Sequence, residues 1–142
     1  MKTNPKMNVF ILTMVILAMV VGCAALNQTR FDETTYTRLT DLKPEVARVY
    51  ESFDEPTLND DAVEEIELKL DQLLEHEKGK GIDRNQEMVN IVGRIITIYT
   101  DDVEARRKEG PWNQTNIDNS LAIIEKAFDQ AIETENLKNR KK

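Results

Sequence analysis

The side chains able to do chemistry in this chain are few. His76 is the single histidine, Cys23 the single cysteine, and Ser52 and Ser120 are the two serines. A di-iron site in a helical protein needs Glu-x-x-His pairs projecting inward. The residue three before His76 is Leu73, and no second histidine exists. A haem would need an axial pair such as His76 with Met88, yet the chain has no Cys-x-x-Cys-His attachment sequence. The acidic pairs Asp60-Asp61, Glu64-Glu65 and Asp101-Asp102 are adjacent. On a helix, neighbours point about 100° apart, so such pairs form no catalytic dyad by themselves. They lack calcium-loop spacing, and no Gly-x-Ser-x-Gly, His-Glu-x-x-His or phosphate-binding glycine loop is present. Two serines and one histidine give little material for a Ser/His/Asp arrangement. The residues lead to the expectation of no catalytic residue, no metal and no bound cofactor; His76 reads as a solvated histidine near the end of a helix.

Cys23 has a more specific context. Lys2 and Lys6 precede an apolar run from Val9 to Val21, followed by Gly22-Cys23-Ala24-Ala25. A basic start, an apolar stretch and small residues at a cut point are the make-up of a secretory signal peptide. The thirteen-residue run is too short for a membrane-spanning helix, which needs about 20. An ordinary secreted protein cut near Ala25 is the plainer alternative, but it leaves the position of the one cysteine unexplained. The run Val20-Val21-Gly22-Cys23 resembles the lipobox of bacterial lipoproteins. The resemblance implies cleavage between Gly22 and Cys23, a diacylglyceryl group and an N-acyl chain on Cys23, and a membrane-anchored product. Several acyl chains together anchor stably where one does not. Ala24 after the cysteine, with no Asp there, implies by the same resemblance the outer membrane, facing the periplasm.

The expected organisation is a signal peptide over 1–22, a lipidated tether over 23–30 and one domain over 31–142. The product from Cys23 onward has 120 residues; without Lys2 and Lys6 it keeps 17 basic and 26 acidic residues, a net charge of −9. That length suits one core. The sign is wrong for a nucleic-acid binder. With one cysteine there is no intramolecular disulfide, so the core alone must hold the domain. The tether from Ala24 to Arg30 reaches roughly 25 Å at most.

Four segments of the domain carry helical periodicity. The first runs from about Asp32 to Phe53, with Asp32 or Thr34 as cap and with Pro44 expected to kink or interrupt it. The second spans about Asp60 to Glu77, with Val63, Ile66, Leu70, Leu73 and Leu74 in one stripe and Gly79-Lys80-Gly81 as its stop. The third covers about Arg84 to Lys108. Gly93 lies inside its stripe, where glycine costs up to about 1 kcal/mol against alanine; it is expected to admit a close neighbouring helix. The fourth spans about Thr115 to Asn136, capped by Asn113 or Thr115. Strand signals are poor. The expected fold is all-α, an antiparallel four-helix bundle with its first helix kinked or interrupted near Pro44.

Such a bundle places the start of the first helix and the end of the fourth together. Lys138, Arg140, Lys141 and Lys142 would then lie near the membrane as candidate head-group contacts, where each basic residue contributes about 1 kcal/mol at most. The alternative is a tail that complements the helix dipole and frays. Trp112, the one tryptophan, falls in the connector before the last helix, at the far end. It is a candidate partner contact or a plug over the core. The Asn-Gln-Thr sequences at Asn27 and Asn113 read as chance matches to a glycosylation acceptor. Two function classes follow. One is a noncatalytic, lipid-anchored protein that docks on an envelope protein partner. The other is a carrier of a small apolar ligand, which would need a cavity among Tyr36, Tyr50, Tyr99 and Phe128.

Overall fold

A computed structural model of the protein describes residues 30–140, apart from the side chains of residues 82–84 and 140. Gly22, Cys23, Lys141 and Lys142 lie outside the described residues. Four helices follow one another: α1 over Glu33–Glu51, α2 over Asp60–Gly79, α3 over Ile82–Glu109 and α4 over Gln114–Arg140. A 3-10 turn, Ser52–Asp54, extends α1. Each helix packs against its neighbour in sequence, and α4 closes the ring on α1. The result is an antiparallel four-helix bundle with no strand among the described residues.

Local sequence sets the ends. Asp32 accepts from the Thr34 N–H at 2.9 Å. Asn59 accepts from Ala62 at 3.1 Å, and Asn113 from Asn116 at 2.9 Å. Each such cap satisfies a donor left free by the first helical turn. Gly81 (φ 93°) and Gly110 (φ 86°) make the turns before and after α3, a backbone conformation that side chains disfavour.

The core is one continuous cluster in which Leu39, Val46, Tyr50, Val63, Leu70, Leu73, Val92, Ile95, Tyr99, Ile124 and Phe128 are buried. Tyr50 stacks on Phe53 with ring centroids 4.9 Å apart. Burial, chiefly, and then the charge of Asp102 push the Tyr50 phenol well up. It therefore stays protonated and donates to Asp102 Oδ2 at 2.8 Å.

Two expectations are corrected. Of the kink and the interruption offered for Pro44, the interruption is overturned: α1 runs through it as one helix. Pro44 lies on the exposed face, where the Thr40 carbonyl, robbed of its usual donor, can turn to water. Gly93 admits no close neighbour: a Cβ built there meets nothing within 4 Å.

Candidate functional site

Each apolar stripe ends on a polar residue, and the four polar residues meet. Thr35 precedes Leu39 and Leu42 by four and seven positions. Glu77 follows Leu70 and Leu73 at the same helical steps. Asn85 precedes Met88 and Val92, and Glu135 follows Phe128 and Ala131. All four point inward by the spacing of their stripes, and all four are buried, Thr35, Glu77 and Glu135 to 0 % exposure. The antiparallel topology brings them to one end of the bundle.

There they form a closed ring with Asp32, Lys80 and Lys138. Lys80 Nζ lies 2.7 Å from Asp32 Oδ2 and 2.8 Å from Glu77 Oε1. Thr35 donates its hydroxyl to Glu77 Oε1. Asn85 Nδ2 donates to Glu77 Oε2 at 2.6 Å and to the Glu77 carbonyl at 3.0 Å. The amide oxygen of Asn85 accepts from Lys138 Nζ at 3.3 Å, and Lys138 pairs with Glu135 Oε2 at 2.6 Å. The Asp32 backbone N–H donates to Glu135 Oε1 at 2.7 Å. This completes the circuit. Asn85 bridges two helices with one side chain, and its backbone leaves helical geometry (φ −129°, ψ 16°) one turn into α3. An inserted side chain is an ordinary cause of such a kink.

The electrostatics follow from the partners. Burial alone would raise the Asp32 carboxyl; bonds from Lys80, His76 and the Thr34 N–H outweigh it and hold the group well below the usual range. Burial likewise opposes the charge on Glu77, and Lys80, Thr35 and Asn85 overcome it, so the carboxyl is lowered. Three carboxylates thus face two ammonium groups in a region screened from water, where each unpaired charge would be costly.

His76 is not the solvated residue expected. Its Nε2 lies 2.9 Å from Asp32 Oδ2, and its side chain is 32 % exposed. Asp32, His76 and Glu77 present ligand atoms within 4.8 Å of one another. The Lys80 ammonium already holds positive charge between the two carboxylates. His76 has an orienting carboxylate, and among the described residues no free nucleophile stands beside it. Ser52 is turned to the Val49 carbonyl at 2.7 Å, and the Thr35 hydroxyl is fully buried and bonded within the ring. The arrangement joins four helices.

The opposite end is closed differently. Arg106, buried, donates through Nε to the Phe53 carbonyl at 2.7 Å and through a terminal nitrogen to the Glu55 carbonyl. Its charge faces the carbonyl end of α1, where the helix dipole favours a cation. Trp112 donates its backbone N–H to the same Phe53 carbonyl at 2.9 Å. Its ring stands edge-on to Phe53, centroids 5.1 Å apart, and is 9 % exposed. It covers this end of the core, and its Nε1 has no hydrogen-bond partner among the described residues.

Of the four candidate membrane contacts, Lys138 is held in the ring, with its side chain 13 % exposed; the Arg140 side chain lies outside the described residues. Tyr36, Tyr50, Tyr99 and Phe128 do not line a common cavity: Tyr36 faces Phe31 at 6.0 Å, while Tyr50, Tyr99 and Phe128 are packed in the core. An open groove of about 230 Å³ lies between α2 and α3 instead. Periodicity of apolar residues alone misses Thr35, Glu77, Asn85 and Glu135. Extending each stripe by one helical step finds all four. The chain matches no protein-family model, no curated protein and no solved structure.

Proposed function

We propose that the protein is a lipid-anchored, noncatalytic docking module of a bacterial cell envelope, held through Cys23 and facing the periplasm from the outer membrane. The observation that carries this reading is the fixed entry of the chain. Asp32 is tied to α1, α2 and α4 at once, so the ring end of the bundle is bound to whatever holds Cys23, seven tether residues away. Among the described residues no helix is long and apolar enough to cross a membrane. A covalent lipid supplies the attachment in this reading. The Trp112 end then stands away from the bilayer, roughly 40 Å off by the length of α3 at 1.5 Å per residue. A rigid body on a short leash, with a filled core and an acidic surface, suits presentation of a surface to a partner protein.

The test is crosslinking in intact cells on the tagged full chain, with Cys23→Ala in parallel. Membrane attachment and a recurrent protein adduct, both lost in Cys23→Ala, are expected. Attachment unchanged by Cys23→Ala overturns the lipid anchor. A chain that gives no protein adduct but purifies with a bound apolar ligand overturns docking in favour of the carrier.

A further inference from the structure

The charge of the domain is concentrated on one helix. α2 carries eight acidic residues and two lysines. Both lysines are engaged: Lys69 with Glu45 and Glu65, Lys78 with Glu75. Glu67 and Asp71 lie on the other side, against α3. Among the described residues, neither has a cation within salt-bridge distance. They border the groove between α2 and α3, with Thr100 on the facing rim and with Leu70, Ile96 and Tyr99 below. Leu68, next to Glu67 and three residues before Asp71, is 59 % exposed, the most exposed large apolar side chain described. It belongs neither to the bundle's core nor to the apolar residues packed against it.

The geometry points to this groove as a docking surface for a basic, amphipathic helical segment of another protein. The inference rests on the docking reading above and names its partner chemistry. A lysine or arginine stem can lie along the half-buried Ile96 and Thr100 while its charge meets Glu67 and Asp71. An apolar residue three or four positions along the same partner helix then meets Leu68, the spacing by which amphipathic helices anchor in grooves. The same negative charge is repelled by anionic lipid and by nucleic acid, which leaves a cationic protein segment as the occupant.

The test uses the full chain in intact cells, with a photo-crosslinking phenylalanine analogue at position 68 or, for comparison, at position 123. Ile123 is 53 % exposed and lies on α4, which does not line the groove. The adducts are digested and the crosslinked segment is sequenced. The expected result is one protein captured from position 68, through a lysine- and arginine-rich amphipathic stretch. Its yield should fall about tenfold or more when Glu67→Lys and Asp71→Lys are combined, because opposed like charges suppress association. Asp71 is exposed and Glu67 half-buried, and an unchanged circular-dichroism melt verifies the fold of that variant. A partner captured equally from 123, an adduct indifferent to charge reversal, or a second copy of this chain as the captured species overturns the groove while leaving docking standing. No protein adduct from either position, or from one at the Trp112 end, overturns both.

Discussion

The Asp32 backbone N–H and Glu135 Oε1, 103 residues apart in sequence, are 2.7 Å apart in space. This bond joins the residue that opens α1 to the last turns of α4, and Glu135 is itself fully buried with Lys138 as its counter-ion. Replacing Glu135 by Ala leaves the N–H without its acceptor and the ammonium without its counter-ion. Breaking one side of a buried pair costs about 3–5 kcal/mol. Urea unfolding of Glu135→Ala should show a loss of that order, and a loss under about 1 kcal/mol would mean the ring is not a structural closure.

Lys80 neutralises two carboxylates at once. Lys80→Met keeps most of the side chain's length and removes its charge. It should destabilise by roughly 3 kcal/mol and let the Asp32 and Glu77 carboxyls rise. Carboxyl titration followed by NMR reads this directly.

Acid should weaken the fold through the same two groups. The folded state keeps Asp32 and Glu77 ionised where the unfolded chain already takes up protons. Their stabilisation is complete above about pH 4.5, the upper edge of unfolded carboxyl values. It is lost as the pH falls from there through the folded values. Asp102 runs the other way. Burial raises its carboxyl, so protonation there relieves a cost. Unfolding free energies measured from pH 6 down to pH 2 should fall, and should fall less steeply in Lys80→Met.

The glycines of α3 and its flanking turn should respond in opposite directions. Gly93→Ala adds a methyl group to open space inside a helix, and should stabilise by up to about 1 kcal/mol. Gly81→Ala places a Cβ at φ 93° and should destabilise by at least about 1 kcal/mol. Thermal melts of the two variants displaced in the same direction would contradict the account.

Trp112 separates packing from polar contact. Its ring closes the core on Phe53, but its Nε1 has no hydrogen-bond partner among the described residues. Trp112→Ala should cost about 3–5 kcal/mol, and Trp112→Phe under about 1.5 kcal/mol. Equal losses in the two variants would show that Nε1 has a partner after all.

The bundle is legible in the sequence because its signals are local and repeated. Asn113 caps as its type suggests, and the stripe of α2 predicts the buried Val63, Ile66, Leu70 and Leu73. Pro44 misleads because its cost depends on whether its helix face meets water, which composition does not tell. The ring is hidden for another reason. Glu77 and Glu135 look like surface residues until a partner 42 or 103 positions away is known. The side chain of His76 draws attention by being single, and its meaning comes from Asp32, the residue that caps α1.

The central claim is that this bundle hangs from the membrane by Cys23. Mass spectrometry of the full chain extracted from membranes tests it most directly. The account predicts an amino-terminal peptide that begins at Cys23 and carries a diacylglyceryl group with an N-acyl chain. An amino terminus at Met1, or one beyond Ala25 with no lipid, would contradict it.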